Sequence, residues 1–136
     1  MRALVLAFPL ALLATVSQAE DATPPLDAAG FDARTTGKTI TYSANGQAYG
    51  IEQYLPGHKV LWAFTESACK VGTWQQQGEE ICFDYQDENG QQCWKFYDTD
   101  KGLKAQFMGD GGMSEPLISL SESETPLNCP GPDIGV

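Results

Sequence analysis

The sequence has few of the residues that most enzymes and nucleic-acid-binding proteins depend on. It contains one histidine, His58, and eight lysines and arginines against 18 aspartates and glutamates, which gives a formal charge of −10 over 136 residues. An acidic chain repels nucleic acid, because neutralisation of phosphates drives that binding. Neither a GxSxG nor a Walker-type motif is present. We therefore expect no nucleic-acid partner, no cofactor and no catalytic site.

The four cysteines lack the spacing of redox and zinc motifs. Cys69, Cys82, Cys93 and Cys129 form no CxxC pair, and His58 is not near any of them in the sequence. An even number of cysteines in a short exported chain is typical of structural disulfides rather than of a metal site. Three pairings are possible. We favour Cys82–Cys93 with Cys69–Cys129, because the first pair is local in the sequence.

Only one long apolar run occurs, from residue 3 to residue 16. Arg2 precedes it and Ser17-Gln18-Ala19 follows, which is the arrangement of a secretory signal peptide cleaved after Ala19. The run is shorter than the roughly 20 apolar residues that span a bilayer. We therefore predict a signal peptide over residues 1–19 and a periplasmic or secreted mature chain that does not insert into a membrane.

The rest of the chain divides into a leader and a β domain. Residues 20–36 form the leader, with a short helix predicted over residues 26–34. Short strands with turn signals every 8–12 residues follow, a spacing typical of an antiparallel sandwich or barrel. We predict one mainly β domain over residues 37–136, a seven- or eight-stranded up-and-down meander that is barrel-like or a sandwich. The predicted strands are 38–43, 48–55, 60–64, 71–74, 81–85, 93–97, 103–108 and 117–120.

The stretch ICFDYQDENGQQCW predicts a hairpin stapled by a disulfide. With Cys82 opposite Cys93, all five large apolar residues fall on the other face of the hairpin. A tight turn at Asn89-Gly90 would instead place Cys82 opposite Tyr97. The two registers differ by an even number of residues, so the face pattern does not choose between them. A disulfide would choose, because it needs Cβ atoms about 4 Å apart. The five apolar residues are Ile81, Phe83, Tyr85, Trp94 and Phe96.

Three further segments contain residues that occur in catalytic or ligand-binding sites of proteins. His58 follows Pro56-Gly57 in a turn and has no partner in a catalytic motif, so we expect its replacement by alanine to leave stability unchanged. Asp98–Gly102 begins like a calcium loop but lacks the third acidic ligand and the closing glutamate, which favours an ordinary turn and no metal. The glycine-rich segment Gly109–Gly112 opens no helix, so a mobile loop is predicted rather than an anion site.

Aromatic residues are concentrated in the predicted strands. A small eight-stranded barrel can be filled by its side chains or can hold one small ligand, and the sequence leaves both open. The aromatic residues concerned are Tyr42, Tyr49, Tyr54, Trp62, Phe64, Trp74, Phe83, Tyr85, Trp94, Phe96 and Tyr97.

The order of these segments resembles a group of short exported bacterial proteins that have no assigned activity. The shared pattern is a Gly-Lys-Thr strand start, a turn containing Tyr, Pro and Gly, a Gly-x-Trp, and an Ile-Cys-Phe followed by a second cysteine. In this chain it covers about residues 26–97. The resemblance implies a lipocalin-like β-meander that is periplasmic or secreted, and it supplies no catalytic residues.

These observations favour an exported, non-catalytic binding module. We expect it to hold a small apolar or amphipathic ligand in a lipocalin-like barrel. The alternative is an acidic module that binds a basic protein, for example as an inhibitor of a basic cell-wall hydrolase.

Overall fold

The computed structural model describes residues 23–64 and 68–129. The predicted signal peptide and residues 130–136 lie outside this part of the chain. Within it, no helix is long and apolar enough to cross a bilayer. The described residues form one helix, α1 (Ala28–Thr35), and eight strands. These are β1 (Thr39–Ala44), β2 (Gln47–Leu55), β3 (Lys59–Phe64), β4 (Lys70–Gln77), β5 (Glu80–Asp84), β6 (Gln92–Thr99), β7 (Gly102–Phe107) and β8 (Leu117–Ser123).

The eight strands close into an up-and-down antiparallel barrel. Each strand pairs with the next in the sequence, and β8 pairs back onto β1, with Tyr42 opposite Ser119. The mainly β prediction is confirmed, and of the two architectures left open the barrel is the one observed. Asn45 and Gly46 both have positive φ in the turn between β1 and β2, as a two-residue hairpin turn requires.

The barrel has two different ends. The turns after β2, β4 and β6 lie at one end together with α1, and we call this the closed end. The connections after β1, β5 and β7 lie at the other end together with Phe64, the last residue of β3, and we call this the open end.

Helix α1 closes its end of the barrel with a single large side chain. The Asp27 carboxylate caps the helix by accepting a hydrogen bond from the Gly30 N–H at 2.8 Å. Phe31 is fully buried, and its ring lies 4.5–6.2 Å from four other aromatic rings. The closed end is therefore a packed aromatic core. The four rings belong to Tyr54, Trp74, Phe83 and Phe96.

An ion-pair cluster holds the helix against the barrel wall. The Arg34 guanidinium donates from Nε to Asp98 Oδ1 at 3.0 Å and from Nη1 to Glu122 Oε2 at 3.0 Å. Hydrogen bonding to Arg34 lowers the pKa of Glu122 below its ordinary value. Asp98, considered above as a calcium ligand, thus joins α1 to β6.

Both predicted disulfides are present. Cys82 lies directly opposite Cys93 and Ile81 opposite Trp94, so the hairpin adopts the wider register and not the tight turn at Asn89-Gly90. Cys69–Cys129 ties the segment after β8 to the residue just before β4.

Candidate functional site

The lumen at the open end contains a cavity. Its volume is about 90 Å³, and we call it the inner cavity. Beside it lies a wider surface depression of about 560 Å³, which we call the outer cleft. The two share five lining residues, so they adjoin each other at the open end. The shared residues are Tyr49, Asn89, Gln92, Trp94 and Leu117.

Glu52 lies in the wall of the inner cavity. It occupies the middle of β2, and Gly50 and Tyr54 lie two residues before and after it. Side chains at alternate positions of a strand share a face, so these three residues lie on the same side of β2. Since Tyr54 points into the core, Glu52 does as well, and its side chain is only 5% exposed. A carboxylate at this depth requires partners, because an isolated buried charge is very unfavourable.

Two tyrosines supply those partners, and a third hydrogen-bonds to one of the two. Tyr85 Oη donates to Glu52 Oε1 at 2.6 Å, and Tyr54 Oη donates to Glu52 Oε2 at 3.1 Å. The Tyr42 and Tyr54 hydroxyl oxygens are 2.7 Å apart. Because the Tyr54 proton is used toward Glu52, Tyr42 donates to Tyr54 in this arrangement. The result is a connected chain of hydroxyl groups that ends on one carboxylate.

Burial controls the protonation of this network. Loss of hydration raises the pKa of Glu52 to about 7, and the hydrogen bonds from Tyr85 and Tyr54 act in the opposite direction. Burial also raises the pKa values of Tyr42, Tyr54 and Tyr85 above their usual range. The tyrosines therefore remain protonated at neutral pH, whereas Glu52 is present in both its protonated and its ionised form at that pH.

Two glycines make room for the rings that line the cavity. A Cβ atom at Gly50 would lie 2.3 Å from Trp62 Cη2, and one at Gly72 would lie 2.6 Å from Tyr85 Cδ1. Both distances are far shorter than van der Waals contact. Any larger residue at Gly50 or Gly72 would displace the ring beside it.

Aromatic side chains also surround the mouth of the cavity. Trp62 lies 6.0 Å from Tyr49 and 5.5 Å from Phe64, measured between ring centroids, and Tyr49 and Phe64 are 40% and 45% exposed. On the other side Trp94 packs 5.0 Å from Phe107. The mouth thus exposes apolar ring surface that closer packing would have buried.

One ion pair lies beside the mouth. Lys70 Nζ is 2.6 Å from Asp87 Oδ2, and this pairing lowers the pKa of Asp87. The Asp87 carboxylate also accepts hydrogen bonds from the backbone and side chain of Asn89. Among the described residues that line the inner cavity, the charge of Lys70 is therefore neutralised by Asp87, and the charge of Glu52 has no cationic partner.

The structure places the other sequence candidates outside the cavity. The His58 ring stacks on Trp74 with centroids 3.6 Å apart and is partly buried, so we now predict that its replacement lowers stability, in place of the unchanged stability expected from the sequence. The Gly109–Gly112 loop folds around Asp110, whose carboxylate accepts from the backbone of Gly112 and Met113. Ser67, a serine that stands in no catalytic sequence motif, lies outside the described residues.

The question of a filled or hollow core has a different answer at each end. Phe31 packs against four rings at the closed end, and two of these, Phe83 and Phe96, together with further aromatic residues line the cavity toward the open end. Sequence reasoning missed both Glu52 and the role of Phe31 as a plug. Strand alternation contained the signal for Glu52, because a strand with Tyr54 inside must also place Glu52 inside.

Comparison with protein families, with curated proteins and with solved structures found no match to this chain.

Proposed function

We propose that the barrel is a binding module that holds a small amphipathic molecule, with one end in the inner cavity and the remainder in the outer cleft. The observation that carries this proposal is the unequal filling of the lumen, which is packed around Phe31 but open above Glu52. A concave, largely aromatic surface with a few convergent polar groups is typical of small-molecule sites.

The disulfide bonds support the proposal that the protein is exported. Two disulfides indicate an oxidising compartment. Together with the predicted signal peptide they favour the periplasm or the extracellular space. The resemblance to short exported, lipocalin-like proteins agrees with this proposal.

A basic protein is the second candidate partner. The observation in its favour is the formal charge of −10, which promotes association with cationic surfaces. It does not account for the cavity or for Glu52, and for this reason we place the small ligand first.

Native mass spectrometry of the mature protein, purified from its exported fraction, tests the proposal. We expect a small adduct that is released on unfolding. Ala105→Leu should abolish the adduct, because Ala105 is buried and lines the inner cavity. Ala48→Leu is the matched control, since Ala48 is exposed on β2.

Near-ultraviolet circular dichroism would establish that both variants are folded. An adduct that persists unchanged in folded Ala105→Leu would overturn the proposal, as would a wild type that carries no adduct and binds none of the small amphipathic probes described below. A bound polypeptide in place of a small molecule would support the second candidate.

A further inference from the structure

Resting on the proposed function, we propose that the ligand carries a protonated amine and that the Glu52 carboxylate binds this ammonium group at the floor of the inner cavity. The ligand class is therefore a small amine attached to an apolar or aromatic body.

The charge of the site favours a cation. Among the described residues that line the inner cavity, the charged side chains are Glu52, Lys70 and Asp87, and the last two pair with each other at 2.6 Å. The outer cleft adds Glu115. An anionic head group, such as the carboxylate of a fatty acid, would meet an uncompensated negative charge when Glu52 is ionised, whereas a cation would neutralise it.

The hydrogen bonds around Glu52 also favour a ligand group that donates hydrogen bonds. The hydroxyl protons of Tyr85 and Tyr54 point at Glu52, and that of Tyr42 points at Tyr54. What remains for a ligand is acceptor capacity, because a carboxylate offers about four lone-pair positions and two are used here. An ammonium group has three donors and no acceptor, so it complements this end of the cavity.

The walls and the size of the cavity indicate how the rest of the ligand is held. Aromatic faces attract cations when the charge lies within about 6 Å of the ring centre, and Trp62, Phe83 and Tyr85 line the cavity beside Glu52. The volume of about 90 Å³ is smaller than the ~150 Å³ of a cavity that holds benzene. The inner cavity therefore accepts a head group with a short linker, and a larger body must lie in the outer cleft.

Three probes of similar shape and different charge test this inference. They are 2-phenylethylamine, 2-phenylethanol and phenylacetate, titrated into the mature, disulfide-bonded protein at pH 7.5 and followed by ¹⁵N NMR into the millimolar range, where fragments of this size can bind. We expect the amine to bind about tenfold or more tightly than the alcohol, since hydrogen bonds to charged groups are the stronger ones. Phenylacetate should bind most weakly.

A variant without the Glu52 charge tests whether this carboxylate causes the preference for the amine. In Glu52→Gln the amine should lose its advantage and bind within about threefold of the alcohol, while the alcohol binds as before. Glu79→Gln is the matched control, because Glu79 is an exposed carboxylate at the closed end, and it should retain the preference. If Glu52→Gln does not fold, the order of affinity of the three probes for the wild type still tests the proposal.

Proton release provides a second readout. Because the ammonium group favours the ionised form of Glu52, amine binding at pH 7 should release protons. The effect is measured by calorimetry in buffers that differ in ionisation enthalpy. The titratable groups facing Glu52 are Tyr42 on β1, Tyr54 on β2 and Tyr85 after β5, and all three remain protonated. Lys70 and Asp87 stay paired beside the mouth.

The outcomes separate this inference from the proposed function. Equal or tighter binding of the alcohol or of phenylacetate would overturn the amine assignment and leave a ligand-binding barrel. An amine preference that survives in folded Glu52→Gln would also overturn it. If none of the three probes binds and no adduct is found by mass spectrometry, both proposals fail.

Discussion

The two ends of this barrel are built from the same eight strands and differ in what fills them. At the closed end Phe31 inserts among four aromatic rings and is fully buried. At the open end the corresponding space holds a carboxylate, three tyrosine hydroxyls and a cavity. Close packing supplies most of the favourable energy of a small domain. Dense packing at the closed end therefore offsets a polar, partly empty lumen at the open end.

Removing the plug should give the largest loss of stability. Phe31→Ala deletes a fully buried ring, which typically costs about 3–5 kcal/mol. Urea unfolding followed by tryptophan fluorescence measures the change. Leu120→Ala, on the exposed surface of β8, is the control and should change stability by about 0.5 kcal/mol or less. A loss for Phe31→Ala no larger than that of the control would contradict the assignment of the closed end as the stabilising one.

Replacing the buried carboxylate should have a smaller effect that depends on pH. The folded-state pKa of Glu52 is raised from an ordinary value of 4.5 to about 7. The folded state binds this proton more tightly than the unfolded state does. The contribution of Glu52 to the free energy of unfolding is therefore fully present below pH 4.5 and is lost as the pH rises toward and through 7. Relative to wild type, Glu52→Gln should gain up to about 3 kcal/mol between pH 4.5 and pH 8, at 1.36 kcal/mol per pKa unit.

Urea titrations at several pH values between 4.5 and 8 measure this gain. Glu79→Gln removes the same charge from the exposed surface at the closed end and should run parallel to the wild type. A constant offset between Glu52→Gln and wild type over this pH range would show that Glu52 is not destabilised by burial.

The smallest of the three effects concerns the stack at the closed end. His58→Asn should cost about 1 kcal/mol, because it removes a ring that stacks on Trp74. Asparagine tolerates positive φ, so the left-handed backbone at His58, where φ is 59°, adds little to the loss. Thermal unfolding provides the measurement.

Gln86→Asn is the matched control, since Gln86 has a φ of 56° and is exposed. It should be close to neutral. Equal losses in the two variants would assign the effect to the backbone and restore the expectation of a dispensable histidine.

Much of the wall of the barrel followed from local sequence signals. Strand positions were predictable to within a few residues, because alternation and turn residues act over short distances. The disulfide-bonded hairpin shows where local sequence signals are no longer sufficient. Its two registers place the same residues on the same face, so only the position of Cys82 opposite Cys93 decided between them.

The contents of the barrel were harder to predict. The plug depends on Phe31 meeting rings from four separate strands, and no local pattern encodes such a meeting. The cavity depends on Gly50 and Gly72, which determine where the rings of Trp62 and Tyr85 lie. Glu52 is different, because alternation alone places it inside. It was missed because a charged residue is expected on the outside of a strand.

The pairing of β1 with β8 has a consequence for the order in which the chain folds. Seven of the eight strand pairings join neighbours in the sequence, whereas this one joins Thr39–Ala44 to Leu117–Ser123. The entropy of closing so long a loop must be offset before the last contacts form. Until then β1 and β8 are open edges, which other chains can pair with. The step that completes the barrel is therefore also the one that removes its exposure to aggregation.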